Sequence, residues 1–406
     1  MRIAIVGAFD RMNYGDLLFP IVLNEFFRER FGSSTEITFY GHRSSDLTAF
    51  GGFRTKPMRN LFRPKELPRG SVVVIAGGEV LGANWKSTLY NLLGKKTWWQ
   101  RLANKVSGPH AELWLIRRFL GCRNKFPYLF HKSDFSKAVT VIYNAVGGAN
   151  LESKDKLIHE SIASVLTGAD YLTVRDQTTI KILKDTGISL PGLALAPDSA
   201  TVISDLFPPD TLNSRISNET SEIKKRLLNK SFLTFQIGIN FVKNNTDIEI
   251  IANQLNMLSE ATSYSIVLLP IGRASGHDDQ VALTKIMSLL KQPVIFPENN
   301  TVFDTMWLIA NSKLFIGTSL HGAITAISFC IPHLALTKKD KKIPAYLDTW
   351  DLIEQRNCEE FSDICEAALS RLEIPKDKLE ILSNELIKKT RLALNQLCNT
   401  IETRQT

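Results

Sequence analysis

The chain has 406 residues, of which 44% are hydrophobic and 22% are charged, and this length predicts two globular domains. The formal net charge of +8 favours anionic partners, namely phosphorylated small molecules, anionic lipid or nucleic acid. The sequence has no zinc-ligand spacing, helix-turn-helix pattern or RNA-binding aromatic signature. We therefore expect no nucleic-acid partner and no metal.

The cysteines and the longest apolar runs indicate a reducing compartment. The five cysteines are odd in number and none forms a Cys-x-x-Cys pair, which is typical of free thiols. The first apolar run, residues 3–6, is too short for the core of a signal peptide, and no run is long enough to span a bilayer. These features predict a cytoplasmic protein that is at most peripheral at the inner face of the membrane.

The first half of the chain alternates between predicted strands, several of which end in glycine, and predicted helices. Residues 2–7 form an apolar strand, a polar loop carries Gly15, and apolar residues at helical spacing begin at Leu17. Further strands are predicted at 36–40, 72–78, 139–143, 171–174 and 194–196. The unbroken Val and Ile run of the third strand predicts burial on both faces, as in a parallel sheet.

Residues 85–106 have a different character. Apolar residues recur on one predicted helical face, with lysines and arginines between them and with Trp98 and Trp99 beside the basic residues. This pattern suits contact with a membrane surface or with a lipid-linked acceptor. It equally suits an ordinary helix packed on the sheet, and Gly94 and Thr97 favour that interpretation because they weaken a continuous interfacial helix.

A second α/β set follows a stretch rich in Pro, Asn, Ser and charge, residues 206–230, which is predicted to be a linker. Strands are predicted at 232–237, 264–269, 293–296, 313–316 and 333–336. The fold class predicted is α/β, with two doubly wound Rossmann-like domains that face a cleft. The predicted boundaries are 1–205 for the N-terminal domain, hypothesised to be the acceptor side, 231–372 for the C-terminal domain, and 373–406 for a C-terminal helix.

The turn at residues 317–322, with the sequence GTSLHG, stands out in the second domain. It follows an apolar strand and precedes a helix predicted from Ala323, so His321 lies where α/β proteins commonly bind ligands. The N-terminus of that helix favours an anion, and either Thr318 or Ser319 would cap it. His321 would face the cleft, or would only hydrogen-bond to a neighbouring loop.

Several separated motifs together resemble the polysaccharide pyruvyl transferase family. In chain order they are Asn13-x-Gly15-Asp16, Ala76-Gly77-Gly78, Val174-Arg175-Asp176, Pro197-Asp198, and the 317–322 turn followed by Ile331-Pro332. Each motif alone is weak, but their order and spacing span nearly the whole chain. The resemblance implies a GT-B-like fold, phosphoenolpyruvate as donor, and a surface-polysaccharide glycan or its lipid-linked oligosaccharide precursor as acceptor.

Three positions depart from the family pattern. Asp10 stands where many members have a second glycine, and Ala76 replaces the first of three glycines. Ser319 occupies a position where a large branch of the family has an arginine that would hold an anion. This chain would therefore need another cation there, or a different ligand geometry.

The implied reaction sets out which groups the site needs. Phosphoenolpyruvate carries a phosphate and a carboxylate, so cations and aimed N–H donors are required. Protonation of its C3 requires a general acid, and the attacking hydroxyl requires a general base. We predict His321 as the acid or a phosphate ligand, because imidazole titrates near neutral pH. The reaction needs no metal and no other cofactor.

The remaining candidates fall into three groups. The predicted bases or hydroxyl binders are Asp16, Asp176 and Asp198. The predicted donor-binding residues are Arg175, Arg273, Ser319, Leu320, Gly322 and Lys338. The loop positions are Asn13, Gly15, Gly77, Gly78 and Asp198, where the glycines would let the backbone approach a ligand.

Structural roles compete with each of these predictions. Asp16 would also serve as a helix cap, Arg175 and Asp176 as an ion pair, and the 338–342 run as solvated charge. Two other functions compete as well. One is a GT-B glycosyltransferase that uses a nucleotide sugar, although no paired glutamates flank residues 317–332. The other is a non-catalytic, glycan-binding family member, which Ser319 leaves open.

Overall fold

The computed structural model describes residues 1–86, 88, 118, 124–273, 279–336 and 340–405. Within these ranges the chain forms two α/β units, each built around its own sheet. The N-terminal sheet has the strand order β3-β4-β2-β1-β5-β6-β7-β8, and the C-terminal sheet has the order β10-β9-β11-β12-β13. The strands are Arg2–Val6 (β1), Glu36–Gly41 (β2), Ser45–Asp46 (β3), Arg54–Pro57 (β4), Ser71–Ile75 (β5), Val139–Val146 (β6), Tyr171–Val174 (β7), Leu193–Leu195 (β8), Phe232–Gln236 (β9), Ser265–Leu268 (β10), Phe315–Gly317 (β11), His333–Leu336 (β12) and Cys358–Glu359 (β13).

The described strand pairs are parallel, except that the edge strand β3 pairs with β4 in antiparallel orientation. Parallel pairs require crossover helices on both faces of the sheet, so the central strands are covered from both sides. All five residues of Ser71–Ile75 are accordingly buried. The α/β, Rossmann-like class predicted from the alternating pattern is confirmed.

Helices cover both sheets, and the described buried residues of helices and strands form three hydrophobic clusters. The described α-helices are Tyr14–Phe31 (α1), Lys156–Leu166 (α2), Gln177–Lys184 (α3), Ile203–Leu206 (α4), Pro209–Asn213 (α5), Asn218–Arg226 (α6), Asn245–Thr262 (α7), Asp279–Met287 (α8), Val302–Ala310 (α9), Leu320–Ser328 (α10), Lys342–Trp350 (α11), Ile364–Leu372 (α12) and Lys376–Gln405 (α13). Short turns of 3₁₀ helix connect several of them. Among the described residues, no helix is both long enough and apolar enough to cross a bilayer.

The C-terminal helix α13 joins the two units. Ser383 donates its hydroxyl to the carbonyl of Ser328 in the C-terminal unit at 2.8 Å. Further along α13, the carbonyl of Ala393 accepts from the hydroxyl of Tyr171 in the N-terminal unit at 2.8 Å. At its end, Glu402 pairs with Arg30 of α1. Helix α13 therefore packs across both units.

Two predicted segments differ in the structure. The stretch predicted as a linker, 206–230, contains α5 and α6, and Trp307 of the C-terminal unit donates its indole N–H to Asn213 at 2.9 Å. The predicted strand at 293–296 is reduced to one bridge between Ile295 and Val267. Pro293 and Pro297 bracket this segment and supply no N–H for a longer ladder.

The basic and aromatic stretch at 85–106 lies outside the described residues, apart from 85, 86 and 88. Trp85 is buried, and its indole N–H donates to the carbonyl of Lys125 at 3.1 Å. This side chain therefore belongs to the protein interior.

Candidate active site

The loops at the carboxyl ends of both sheets enclose a cavity of about 460 Å³, which we call the central cavity. Parallel sheets place ligands at this end of their strands, because the strand-to-helix loops gather there. The N-terminal unit contributes Asn13, Asp16, Gly78, Glu79, Asn150 and Arg175. The C-terminal unit contributes Gln236, Gly238, Asn240, Phe241, Ile271, Gly272, Asp279, Thr318, Ser319, Leu320, His321, Asp340 and Lys342.

The first loop of the chain binds directly to a loop of the C-terminal unit at one edge of the central cavity. The backbone N–H of Tyr14 donates to the carbonyl of Ile271, and that of Arg273 donates to Met12, both at 3.2 Å. Asn13 caps helix α1, since its side chain accepts from the N–H of Gly15 at 3.1 Å. The loop is thus held both by its own helix and by the opposite unit.

His321 lies in the first turn of helix α10, which begins at Leu320, earlier than predicted. The cap is Ser319 rather than Thr318, because the N–H of Gly322 donates to Ser319 Oγ at 3.2 Å. Ser319 and Leu320 also line the central cavity. The positive end of the helix dipole therefore adjoins the imidazole, which favours an anion at this point.

Two glycines of the N-terminal unit make room for the imidazole and for the aromatic ring on which it packs. A Cβ atom at Gly15 would lie 2.1 Å from Nδ1 of His321. The ring also packs edge-to-face on Phe19, with 5.1 Å between centroids. Phe19 in turn lies against Gly77, where the φ angle is +130° and a Cβ atom would be 2.7 Å from its ring. Gly15 thus makes room for the imidazole and Gly77 makes room for Phe19, and the predicted approach of a ligand to the backbone at these two glycines stays a prediction.

A buried carboxylate stands behind His321. Nε2 of His321 lies 3.6 Å from Oδ2 of Asp198, which has no exposed surface. The same oxygen accepts from Arg175 Nη1 at 2.9 Å, and the other carboxylate oxygen accepts from the N–H of Ala200 at 3.0 Å. Burial by itself would raise the pKa of Asp198, but His321, Arg175 and the N–H of Ala200 together lower that pKa to about 2.

Arg175 is shared between two carboxylates. Besides Asp198, it donates through Nη2 to Glu79 at 3.0 Å, and its side chain is only 2% exposed. Gly147 allows this packing, since a Cβ atom there would lie 2.7 Å from Nε of the arginine. A guanidinium balanced by two carboxylates attracts a substrate anion weakly. Arg175 therefore holds Asp198 and Glu79 in place, although it was predicted as an anion clamp.

Other predicted site residues lie elsewhere. Asp176 caps helix α3, where its carboxylate accepts from the N–H of Thr179 at 2.7 Å, and it is absent from the described lining of the central cavity. We therefore correct its predicted catalytic role to a capping role. The side chain of Arg273 donates to Asn300 and does not line the cavity within the described residues. Lys338 lies outside the described residues.

Gly322 is also a packing residue. A Cβ atom at this position would lie 2.1 Å from the ring of Phe315, so helix α10 approaches strand β11 closely here. Gly322 is not part of the described cavity lining. Its predicted donor contact is therefore replaced by a contact between helix and strand, because only a residue without a side chain permits this spacing.

Sequence reasoning missed several residues of the central cavity. Lys342 begins helix α11 and pairs with Asp340 at 2.8 Å, and both line the cavity. The sequence suggested a solvated basic run here, although the run does follow strand β12. Their position directly after a strand was the sequence feature that could have indicated that these residues line the cavity. Glu79 likewise follows the glycine turn of strand β5, and it was not singled out.

Gln236 organises the floor on the C-terminal side. Its carbonyl oxygen accepts from the N–H of Thr318 at 3.0 Å, and its amide donates to Asp279 at 2.8 Å. Asp279 also accepts from the N–H groups of Ile271 and Gly272, both at 3.0 Å. Three strand-end loops are thus tied together beneath the cavity.

Acidic side chains outnumber permanent cations in the described lining of the central cavity. The acidic side chains of its described lining are Asp16, Glu79, Asp279 and Asp340. The permanent cations of that lining are Arg175 and Lys342, and Arg175 is already neutralised. An anionic ligand would therefore depend on Lys342, a protonated His321 and the N-terminus of α10.

The family assignment follows from a comparison with protein-family models. The model described as polysaccharide pyruvyl transferase matches residues 114–339, which is more than half of the chain. This protein belongs to the polysaccharide pyruvyl transferase family. The resemblance inferred from the sequence motifs is thereby confirmed. No curated protein matches the chain.

Solved structures show which fold this family member has. UDP-GlcNAc 2-epimerase from Neisseria meningitidis, bound to UDP-GlcNAc, gives a TM-score of 0.56 at 12% identity, over 99% of this chain and 100% of that one. MnaA of S. aureus with UDP gives 0.55 at 12% identity, covering 99% and 96%. The UDP-GlcNAc 2-epimerase of Methanocaldococcus jannaschii gives 0.54 at 11% identity, covering 93% and 94%. The predicted GT-B-like fold is confirmed.

Proposed function

We propose that this protein transfers pyruvate from phosphoenolpyruvate to two hydroxyls of one sugar, forming a ketal. The acceptor belongs to a surface polysaccharide or to its lipid-linked precursor. The observation that carries the proposal is the imidazole of His321, which faces the central cavity from a helix N-terminus with the buried carboxylate of Asp198 behind it. Membership in the pyruvyl transferase family supports the same chemistry.

The donor occupies the C-terminal side of the central cavity. Its phosphate and carboxylate face the N-terminus of helix α10, Lys342 and the protonated imidazole of His321. Lys342 is paired with Asp340 at 2.8 Å, so it shares its charge between this carboxylate and the donor. Ser319 contributes a hydroxyl where a large branch of the family has arginine, and Lys342 is the cation that compensates.

His321 acts as the general acid. Its imidazolium gives a proton to C3 of phosphoenolpyruvate, and C2 then carries positive charge that an acceptor hydroxyl attacks. Asp198 stabilises the imidazolium as a fixed negative charge, because Arg175 and Ala200 keep this carboxylate ionised.

The remaining steps make and break bonds at C2 of the donor. The first hydroxyl oxygen bonds to C2, the bond from C2 to the phosphate oxygen breaks, and the second hydroxyl oxygen closes the ketal. Asp16 takes the proton of the first hydroxyl and passes it to the departing phosphate, and the proton of the second hydroxyl restores His321. This sequence of steps requires no metal and no redox cofactor.

Asp16 is the proposed base for the acceptor hydroxyl. Its carboxylate lines the central cavity, is 21% exposed, and lies 3.5 Å from Nε of Arg11. The arginine orients this carboxylate towards the cavity through their ion pair. We also propose that the protein acts in the cytoplasm, at most as a peripheral protein at the inner face of the membrane.

Ligand-dependent thermal unfolding tests the donor, because a ligand that binds only the folded state raises Tm. We would compare phosphoenolpyruvate with UDP-, GDP- and CMP-sugars in the wild type, in His321→Ala and in His131→Ala. His131 is a matched control, because it caps a 3₁₀ turn elsewhere in the N-terminal unit. A rise in Tm with phosphoenolpyruvate that is weakened in His321→Ala alone is expected.

Two other outcomes would point elsewhere. A rise with a nucleotide sugar alone would replace the proposal with a GT-B glycosyltransferase, a class compatible with the UDP-GlcNAc named for two of the structural neighbours. No rise with any donor would favour a glycan-binding protein without catalysis.

A further inference from the structure

The segment 54–69, which contains strand β4 and leads to β5, has six basic residues and one acidic residue. Met58, Leu61 and Leu67 of this segment are buried in the hydrophobic cluster on one face of the N-terminal sheet. The cations lie before, between and after these buried anchors, so the anchored backbone holds their side chains in solvent. The exposed cations of the segment are Arg54, Lys56, Arg59, Arg63, Lys65 and Arg69.

Two of these six cations have a carboxylate partner among the described residues. Arg54 pairs with Asp46 at 2.7 Å, and Lys56 pairs with Glu66 at 2.9 Å. Glu66, the one acid of the segment, also accepts from the hydroxyl of Tyr40 at 2.6 Å. This carboxylate is therefore directed towards Lys56 and Tyr40. The other four cations, at positions 59, 63, 65 and 69, have no counter-charge in the part of the chain that the structure describes.

A neighbouring loop adds a fifth cation. The N–H of Gly70 donates to the carbonyl of Ala138 at 3.0 Å, and the rings of Phe62 and Phe135 stack with 5.9 Å between centroids. These contacts place Lys137, which is exposed and unpaired within the described ranges, beside the end of the basic segment. We define the basic patch as Arg59, Arg63, Lys65, Arg69 and Lys137.

We propose that the basic patch docks the protein on an anionic lipid bilayer. None of its residues lines the central cavity, so the patch is separate from the candidate active site. A lysine or arginine close to an anionic membrane surface strengthens binding by about fivefold, and a bilayer accommodates a broad patch without a pocket. The inference rests on the proposed function in one respect. A lipid-linked acceptor is presented at a bilayer, which favours lipid over another polyanion.

The patch begins at the end of the sheet where the central cavity lies. Strands β1, β2 and β4 are parallel, so their carboxyl ends point the same way. Arg59 follows the carboxyl end of β4, as the cavity residue Asn13 follows that of β1. Arg69 precedes strand β5 and so lies towards the opposite end of the sheet. A bilayer on this patch therefore lies along the side of the N-terminal unit and reaches the level of the cavity, where it can present an acceptor.

Sedimentation of the full-length protein with lipid vesicles tests the docking surface. The anionic vesicles are phosphatidylcholine with about 30% phosphatidylglycerol, and the neutral vesicles are phosphatidylcholine alone. We expect at least tenfold tighter binding to the anionic vesicles. We also expect this preference to disappear in about 0.5 M NaCl, because salt at this concentration screens exposed charges.

Two triple variants locate the contact. The patch variant carries Arg59→Gln, Arg63→Gln and Lys65→Gln. The control variant carries Arg226→Gln, Lys230→Gln and Lys313→Gln, which replace three exposed cations of the C-terminal half and leave the same net charge. The patch variant is expected to bind anionic vesicles at least 20-fold more weakly than the wild type, and the control variant to bind them within about twofold of it. All six side chains are exposed, so both variants are expected to keep the Tm of the wild type.

Three results would overturn the inference. They are equal binding of the wild type to the two kinds of vesicle, equal losses in the two triple variants, and tighter binding to a single-stranded oligothymidylate than to anionic vesicles. The last result would identify nucleic acid as the partner. The vesicle assay contains no phosphoenolpyruvate, so its outcome is independent of the donor test. Vesicle binding through the patch without a donor-dependent rise in Tm would contradict the proposed function and leave the docking surface in place.

Discussion

Nε2 of His321 lies 3.6 Å from Oδ2 of Asp198, although 122 residues separate them in the chain and they belong to different units of the fold. Asp198 is fully buried and is tied to Arg175, whereas His321 is 14% exposed at the cavity wall. The carboxylate therefore cannot reach a substrate directly and acts through the imidazole. Asp198 is a positioning residue in the proposed mechanism.

Replacement of Asp198 by Asn is expected to lower kcat about 100-fold, because the imidazolium of His321 loses its counter-charge. Steady-state kinetics of phosphate release from phosphoenolpyruvate measures this effect, with KM for the donor expected to change less than kcat. A variant with unchanged kcat would contradict the positioning role.

The same variant reports on stability. The pKa of Asp198 falls on folding from its ordinary value of 3.8 to about 2, so the carboxylate stabilises the fold by about 2 kcal/mol above pH 4. That contribution is lost as the pH falls from about 4 towards 2. Urea unfolding should therefore show a difference between wild type and Asp198→Asn that is full at pH 7 and shrinks below pH 4. A difference that stayed constant with pH would count against the ionised carboxylate.

Replacement of Gly15 by Ala is expected to abolish the rise in Tm that phosphoenolpyruvate causes. The added methyl would lie 2.1 Å from Nδ1 of His321, so the ring must leave its place against helix α1. Gly82→Ala is a suitable control in the same unit, because its Cβ would meet its nearest neighbour at an ordinary 3.6 Å. Equal donor responses in the two variants would show that the position of the imidazole is not tied to Gly15.

Replacement of Ser319 by Ala and by Arg distinguishes the helix-capping role of this position from its role in binding an anion. Both variants lose the hydrogen bond that the N–H of Gly322 donates to the side chain of residue 319. The free energy of unfolding of each variant is therefore expected to be about 1 kcal/mol lower than that of the wild type. Arginine also brings a cation to the cavity wall, so it should bind phosphoenolpyruvate about tenfold more tightly than the alanine variant. Calorimetric titration of the two variants gives this ratio, and a ratio near one would refute the anion-binding role of this position.

Replacement of Lys342 by Gln is expected to weaken phosphoenolpyruvate binding at least tenfold, since a charge-assisted contact in a partly buried site is lost. Lys341→Gln removes the same charge from an exposed neighbour and serves as the control. Calorimetric titration at two salt concentrations should show a weaker salt dependence only in Lys342→Gln. If both variants bound the donor alike, long-range charge rather than a specific contact would explain its affinity.

Replacement of Asp176 by Ala tests the correction of its role. Loss of the bond from the N–H of Thr179 should lower the free energy of unfolding by about 1–2 kcal/mol. The affinity for phosphoenolpyruvate should remain that of the wild type, because this carboxylate caps a helix. A large loss of kcat without loss of stability would restore the catalytic interpretation.

The alternation of apolar strands and helices was readable from the sequence, because buried parallel strands need continuous Val and Ile runs and helices need 3.6-residue spacing. The turn around His321 was readable for the same reason, since it lies between one such strand and one such helix. Short motifs such as Val174-Arg175-Asp176 and Pro197-Asp198 lie within residues 114–339, which the family model matches, and so does Ser319, which departs from the pattern. These features all depend on residues that are close together in the chain.

Which charged groups lie next to these residues could be learned only from the tertiary structure. Arg175 looked like an anion clamp until folding placed Asp198 and Glu79 on either side of its guanidinium. Lys342 looked solvated until folding turned it towards the cavity. Whether a charge is free to bind a substrate depends on the groups that neutralise it, and packing brings those groups from distant parts of the chain. Local patterns therefore predicted where a site would lie, and long-range contacts determine which of its charged groups neutralise one another.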